Sequence, residues 1–225
     1  MKISKRLKTV LSLIPDNCEM VFDVGADHGY LTLAIIENKL SKKVVASDIS
    51  APSLQKTIEL VKEKGIDNVV STIVSDGLNN YPKDLVADVV VIAGMGGNEI
   101  LKILKNIENI ENYKSFIVQP MQDADILRQG LNALNFEIMS DIIMEENGKF
   151  YSIIKVRKSD KKLPSLTAEE CLFGVNFLTN KDEEFLNFVN MQKNKFESRK
   201  NYLTEKDLIN LSVCYKILDD NSKGE

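Results

Sequence analysis

Five residues in one short stretch have the types and spacing to hold a nucleotide-like ligand: Asp23, Gly25, Asp27, His28 and Gly29, in Val21-Phe22-Asp23-Val24-Gly25-Ala26-Asp27-His28-Gly29-Tyr30. An apolar run ends in an acid, two glycines bracket a polar loop, and a helical pattern begins at Tyr30. Gly25 and Gly29 are expected to let backbone approach a ligand with no Cβ in the way, while the following helix aims its free N–H groups at whatever sits there. Asp27 and His28, the only histidine of the chain, place two titratable groups at the loop tip. Short polar residues are also ordinary helix caps, so a purely local role is the competing reading.

The same arrangement recurs downstream. Asp48 follows in Val44-Val45-Ala46-Ser47-Asp48-Ile49-Ser50, where an acid can accept both hydroxyls of a ribose; the alternative is that Asp48 or Ser50 caps the next helix. Ser75-Asp76-Gly77-Leu78 closes a third apolar run, with Asp76 able to accept an adenine amino group and Gly77 leaving room for the ring, unless this is an ordinary Asp-Gly turn. Ala93-Gly94-Met95-Gly96-Gly97 suggests a backbone lip along a substrate or a reactive group, and Gln119-Pro120-Met121-Gln122 ends a fifth run with an amide near the same edge. Acids at three successive strand ends matter more together than singly, because ligands of open α/β sheets lie at the carboxyl ends of the strands.

The elements that would position these groups alternate in type. Strands are expected at about 19–23, 43–47, 69–74, 87–92 and 113–118, with helices at Tyr30–Glu37, Ala51–Lys64, Asn98–Glu111 and Asp123–Asn135 and a leading helix at Ser4–Leu13. Val86–Ile92 is apolar enough for a central strand buried on both faces. Phe136–Glu145 and Lys149–Arg157 flank Asn147-Gly148, a strong hairpin signal. A parallel sheet finished by an antiparallel hairpin is the methyltransferase pattern rather than the six parallel strands of dinucleotide-binding dehydrogenases. The charged stretch Lys158–Ser165 reads as a linker between a domain at 1–158 and a helical one at 167–225. In the latter, Leu172, Val175 and Leu178 mark one helix, Phe185 to Leu211 a second, and Thr179-Asn180-Lys181-Asp182 the turn between them, giving a coiled-coil hairpin.

Composition narrows the function classes. No apolar run reaches membrane-spanning length and Met1–Leu7 lacks the core of a leader, so a cytoplasmic protein is expected. Three scattered cysteines and one histidine speak against a disulfide framework or a metal site. The net charge of −4 excludes a general nucleic-acid coat, but local basic surpluses stand at residues 1–8, 155–162 and 193–200, equally readable as phosphate contacts or as solvated surface.

Together, Leu7, Asp23–Leu31, Ser47–Ser50, Ser75–Leu78, Ala93–Gly97, Gln119-Pro120 and Asn147–Tyr151 resemble the bacterial tRNA (adenine-22 N1)-methyltransferase family, the TrmK type, within the class I S-adenosylmethionine-dependent methyltransferases. The resemblance covers residues 1 to about 158 closely and the tail more loosely. Asp27 stands where the wider superfamily has the middle glycine of its cofactor loop, a departure the narrower family shares. The chain has no Asn-Pro-Pro-aromatic motif after the fourth strand, against N6-adenine chemistry. The resemblance implies an α/β Rossmann-like enzyme that binds S-adenosyl-L-methionine through Asp23, Gly25, His28, Gly29, Asp48, Ile49, Asp76, Gly77, Ala93, Gly94 and Met95. It implies methylation of adenine N1 in tRNA; a monomer without metal or membrane is expected. Asp27 is the expected carboxylate facing the developing charge on the base, His28 the group that orients it or shuttles its proton, and Tyr30, Met95 and Tyr151 the candidate stacking partners. The alternatives are a class I methyltransferase of another substrate, or an inactive cofactor-fold scaffold acting through its tail.

Overall fold

A computed structural model describes residues 3–176 and 183–222. Seven strands form one sheet: β1 (Cys18–Val24), β2 (Ser41–Asp48), β3 (Val70–Val74), β4 (Val89–Met95), β5 (Phe116–Pro120), β6 (Phe136–Glu146) and β7 (Lys149–Lys158). Their order is β3-β2-β1-β4-β5-β7-β6, with β1 to β5 parallel and the β6–β7 hairpin antiparallel at one edge. This is the Rossmann-like sheet with a terminal hairpin that the sequence predicts. The chain reverses direction across the sheet between β1 and β4, and the crevice such a switch point opens is where ligands settle.

Alternation along each strand feeds two layers. Val21, Val44, Val89, Val91 and Ile117 pack beneath α1 (Lys5–Ser12), α2 (Tyr30–Glu37) and α3 (Ala51–Glu63). Phe22, Val45, Val90, Ile92, Phe116 and Val118 pack beneath α4 (Gly97–Lys105) and α5 (Ala124–Ala133). Val89 to Ile92 are fully buried, as expected for a central strand.

The strand ends differ from expectation in two places. β4 continues through Ala93–Met95 because a bulge at Gly94 (φ +85°) lets pairing resume at Met95 opposite Pro120, so the glycine run is partly strand rather than loop. β5 begins at Phe116, since Tyr113 turns into the core against Phe22 and Phe116. α4 stops at Lys105, short of Glu111; Asn106 terminates it and a single 3-10 turn at Ile110–Asn112 follows.

The tail is helical but divided differently. α6 spans only Ala168–Phe173, where Gly174 (φ +80°) ends it. α7 (Glu183–Glu197) and α8 (Glu205–Ser222) pack against each other. The expected single stretch from Phe185 to Leu211 is broken because Thr204 accepts from Asp207 N at 3.2 Å and Asp207 in turn accepts from Thr204 N at 2.9 Å, a reciprocal cap that starts a new helix. The expected turn at Thr179–Asp182 lies outside the described residues. Phe173, Phe185, Phe188, Val189, Val213 and Cys214 share a core with Ile143 and pack against Phe150, so the helices lean on the hairpin.

Beside that core lies a fully buried ion pair. Arg128 of α5 donates through Nε and Nη2 to both carboxylate oxygens of Asp141 on β6, at 2.7 and 2.9 Å, and also to Ser152 Oγ and the Cys171 carbonyl. Asp141 further accepts from Val175 N at 3.3 Å. β6 carries one extra residue, Met139, between Ile138 opposite Val156 and Ser140 opposite Lys155.

Candidate active site

The loop after β1 is fastened to the end of β2. Gly25 N and Ala26 N both donate to Ser47 O at 2.8 Å, and Asp27 N donates to Asp48 Oδ2 at 3.3 Å. The other Asp48 oxygen accepts from Ser50 N at 2.8 Å. Ser50, not Asp48, caps α3 by accepting from Ser53 N. The Asp48 carboxylate therefore holds two backbone donors and keeps acceptor positions open for a ligand.

Beneath the loop, Asp23 is 2% exposed and accepts from Thr32 Oγ1 of α2 at 2.6 Å. Burial, with a contribution from Asp48, pushes its carboxyl from 3.8 up to about 6, against the pull of the Thr32 bond. Its carboxylate thus ties the end of β1 to α2 beneath the loop. Thr32 is part of the site that sequence reasoning missed, because only the helix register brings it onto Asp23.

The glycines separate into two kinds. A Cβ on Gly29 would lie 2.9 Å from Thr57 Cγ2, and one on Gly77 2.9 Å from Ile103 Cγ2. At these two glycines, both with positive φ, the missing side chain leaves room for a neighbouring helix, α3 at Gly29 and α4 at Gly77. Gly25 is overlain by the Met95 methyl, 2.3 Å from where its Cβ would be. Gly94 alone among these has open space before it.

Asp76 is exposed at the end of β3 and its carboxylate has no partner among the described residues. Ile49, 69% exposed, follows directly on Asp48. An apolar side chain, a partly free carboxylate, a free carboxylate and an open glycine thus share one crevice edge. These residues fit an adenosine: a ring face, ribose hydroxyls, an amino group and a closely approaching backbone.

At the crest of the loop, Asp27 (φ +40°) lies 3.4 Å from His28 Nε2 and 3.9 Å from Lys56 Nζ, and its carbonyl accepts from Thr57 Oγ1 at 2.7 Å. Its partners are all in the loop or on the β2–α3 side. His28 stacks on Tyr30, with ring centroids 5.5 Å apart and planes 11° from parallel, and both are exposed. Met95 lies over Gly25, and Tyr151 lies under the guanidinium of Arg6 at 5.4 Å. Arg6 also donates to Gln119 Oε1. Its place beside the fifth strand is illegible in sequence, since the two residues stand 113 positions apart.

Much of the basic surplus at 155–162 is consumed internally: Lys155 donates to Leu13 O, Arg157 pairs with Glu137, and Lys158 donates to Leu134 O. Lys195 and Arg199, by contrast, line a groove of about 710 Å³ between α7, α8 and the segment following β5. Among the described residues no group of three or more His, Cys, Asp or Glu is placed to hold a metal, and no helix is long and apolar enough to cross a membrane.

The tRNA (adenine(22)-N(1))-methyltransferase of Bacillus subtilis is 31% identical over 162 residues, 72% of this chain and 67% of that one. The structure of M. capricolum TrmK with S-adenosyl-homocysteine superposes with a TM-score of 0.82 at 26% identity, covering 97% of both chains. That of Streptococcus pneumoniae Sp1610 with S-adenosyl-L-methionine gives 0.84 at 28% identity over 96% of this chain and 100% of the other. The family model of the tRNA (adenine(22)-N(1))-methyltransferases, TrmK, matches residues 21–217, and the chain belongs to that family.

Proposed function

We propose that this chain methylates N1 of adenine 22 in tRNA with S-adenosyl-L-methionine as donor, the crevice along β1, β2, β3 and β4 being the donor site. The observation that carries the residue assignment is the edge formed by Asp48, Ile49, Asp76 and Gly94, whose free acceptors, apolar face and open backbone match an adenosine. Asp48 accepts the ribose hydroxyls, Asp76 the adenine amino group, and Ile49 covers the ring. Gly25, Ala93, Gly94 and Met95 form the floor toward the reacting methyl. Asp23, Gly29 and Gly77 serve the site indirectly: Asp23 ties β1 to α2 through Thr32, and the two glycines seat α3 and α4.

When bound, the donor supplies a methyl group on a cationic sulfur. The protein's task is to bring the adenine N1 lone pair in line with it, and positioning contributes most where no side chain need become a nucleophile. The target edge takes part in base pairing and must be exposed before reaction. The stacked His28–Tyr30 pair offers a planar surface at the mouth, and Asp27 offers a carboxylate to the charge that moves onto the base. In this reading residues 1–158 carry the chemistry, and residues 167–225 face the tRNA through Lys195 and Arg199.

The test is direct. Unmodified tRNA carrying adenine at position 22 is incubated with protein and donor, digested, and its nucleosides resolved by mass spectrometry; 1-methyladenosine is expected, and none from a transcript with guanine there. Donor binding without methyl transfer to any tRNA would instead support a scaffold.

A further inference from the structure

The reaction as read gives no part to Arg6, yet its surroundings are specific. Ser4 caps α1, and the first turn is pinned to β6: Arg6 N donates to Glu146 Oε1 at 3.3 Å and Lys5 Nζ to Glu145 O at 3.0 Å. One terminal nitrogen of the guanidinium donates to Gln119 Oε1 and lies 3.4 Å from Met121 Sδ, while the plane covers Tyr151. Gln119 is fully buried, and its amide nitrogen donates to Pro120 O at 2.7 Å, which fixes the oxygen toward Arg6. The side chain is therefore held from one side. Its Nε and second terminal nitrogen have no partner among the described residues, and no carboxylate lies within ion-pair distance.

The location matters as much as the geometry. Gln119 pairs with Ala93 in the β4–β5 register, and Met121 N donates to Met95 O at 2.8 Å. The cation thus borders the bulge at Gly94, the open point of the crevice. A half-buried guanidinium without a counter-charge, already immobilised, loses little entropy on meeting an oxyanion and presents two parallel N–H donors to it.

We propose that Arg6 is an oxyanion-binding residue of the active site. The chemistry is that of a guanidinium fork on a planar or tetrahedral oxyanion. Resting on the function read above, two groups of the reaction supply one: a backbone phosphate beside the target nucleotide, or the amino-acid carboxylate of the donor. The full-length protein is compared with Arg6→Gln and Arg6→Lys by titration with S-adenosyl-L-methionine, with 5′-methylthioadenosine, which lacks the amino acid, and with tRNA over a salt series. A phosphate site predicts tRNA binding weakened about tenfold in Arg6→Gln, a log–log salt slope shallower by about 0.7 to 0.9, and unchanged donor affinity. A carboxylate site predicts about tenfold weaker donor binding, unchanged methylthioadenosine binding and an unchanged slope. Arg6→Lys should recover part of either loss, having the charge without the fork. The proposal is overturned if Arg6→Gln leaves all three titrations at wild type, or weakens methylthioadenosine as much as the donor with no change of slope. Should Arg6→Gln fail to fold, Gln119→Glu gives Arg6 a carboxylate in place and predicts the same selective loss; wild-type binding in that variant refutes the assignment. These readouts are binding constants, so a wild-type protein that forms no 1-methyladenosine would defeat the functional reading without deciding the role of Arg6.

Discussion

Replacing Asp48 by alanine separates the ligand-binding duty of this carboxylate from its structural one. The side chain has about four acceptor positions. Two are filled by Ser50 N at 2.8 Å and Asp27 N at 3.3 Å, leaving the rest for ribose hydroxyls. Removing the carboxylate deprives the donor of charge-assisted hydrogen bonds worth roughly 1 to 3 kcal/mol together, which is about 5- to 150-fold in Kd. The two backbone N–H groups lie near the surface and find water, so the unfolding free energy should fall by only about 1 kcal/mol. The cap of α3 survives, because it belongs to Ser50 Oγ. Asp48→Asn keeps one oxygen but turns an NH2 group toward one of the donors and should fall between wild type and alanine. Calorimetric titration with S-adenosyl-L-methionine measures the first effect, and thermal unfolding without ligand the second. A folded Asp48→Ala protein whose Kd is within twofold of wild type would refute the placement of the ribose.

Asp27→Asn keeps a residue that tolerates φ +40° and leaves the Thr57 bond to the backbone untouched; a catalytic carboxylate predicts a single-turnover methylation rate lower by about a hundredfold at unchanged affinities, whereas a near-normal rate assigns Asp27 to loop shape. The pair Gly94→Ala and Gly77→Ala should diverge: both lose stability through their positive φ, but the first places a methyl in open crevice and also weakens donor binding, while the second drives a Cβ to 2.9 Å from Ile103 and lowers the melting temperature further with little effect on donor affinity. Equal donor affinities in the two folded variants would contradict this division. Asp23, raised from 3.8 to about 6, retains its proton in the native state where the unfolded chain has lost it, so its contribution is greatest below about pH 4 and disappears as pH rises through about 6. Relative to Asp23→Asn, wild type should lose up to about 3 kcal/mol across that window, read from urea midpoints; parallel pH curves would show that Asp23 titrates normally.

Much of this was legible because it is local. The apolar run into Asp23, the helix at Tyr30–Glu37 and the Asn147-Gly148 hairpin each follow from nearest neighbours, and the structure returns them nearly unchanged. What escaped depends on contacts distant in sequence. Gly77 and Gly94 both read as places where backbone makes room for a ligand, but only the packed α4 shows that a Cβ at the first would meet Ile103 while the second has open space before it. The helical periodicity from Phe185 to Leu211 is genuine, and its interruption came from the reciprocal cap of Thr204 and Asp207, which a period-based reading passes over. Asp27 drew attention as an acid among glycines, while its partners Lys56 and Thr57 lie on a helix about thirty positions on.

The single extra residue in β6 works as a phase shift. Ile138 faces the α4–α5 layer, and uninterrupted alternation would next send residue 140 that way and turn residue 141 to the opposite side. With Met139 left unpaired, the odd-numbered positions inherit the inner face. Asp141 then meets Arg128, and Ile143 meets the tail core. Slipping the hairpin back by one position would leave a fully buried guanidinium without its carboxylate, a cost of about 3 to 5 kcal/mol. The same pair holds Cys171 O and Val175 N. One inserted residue thus both proofreads the pairing of the last two strands and makes the seating of the helical tail conditional on that pairing being right.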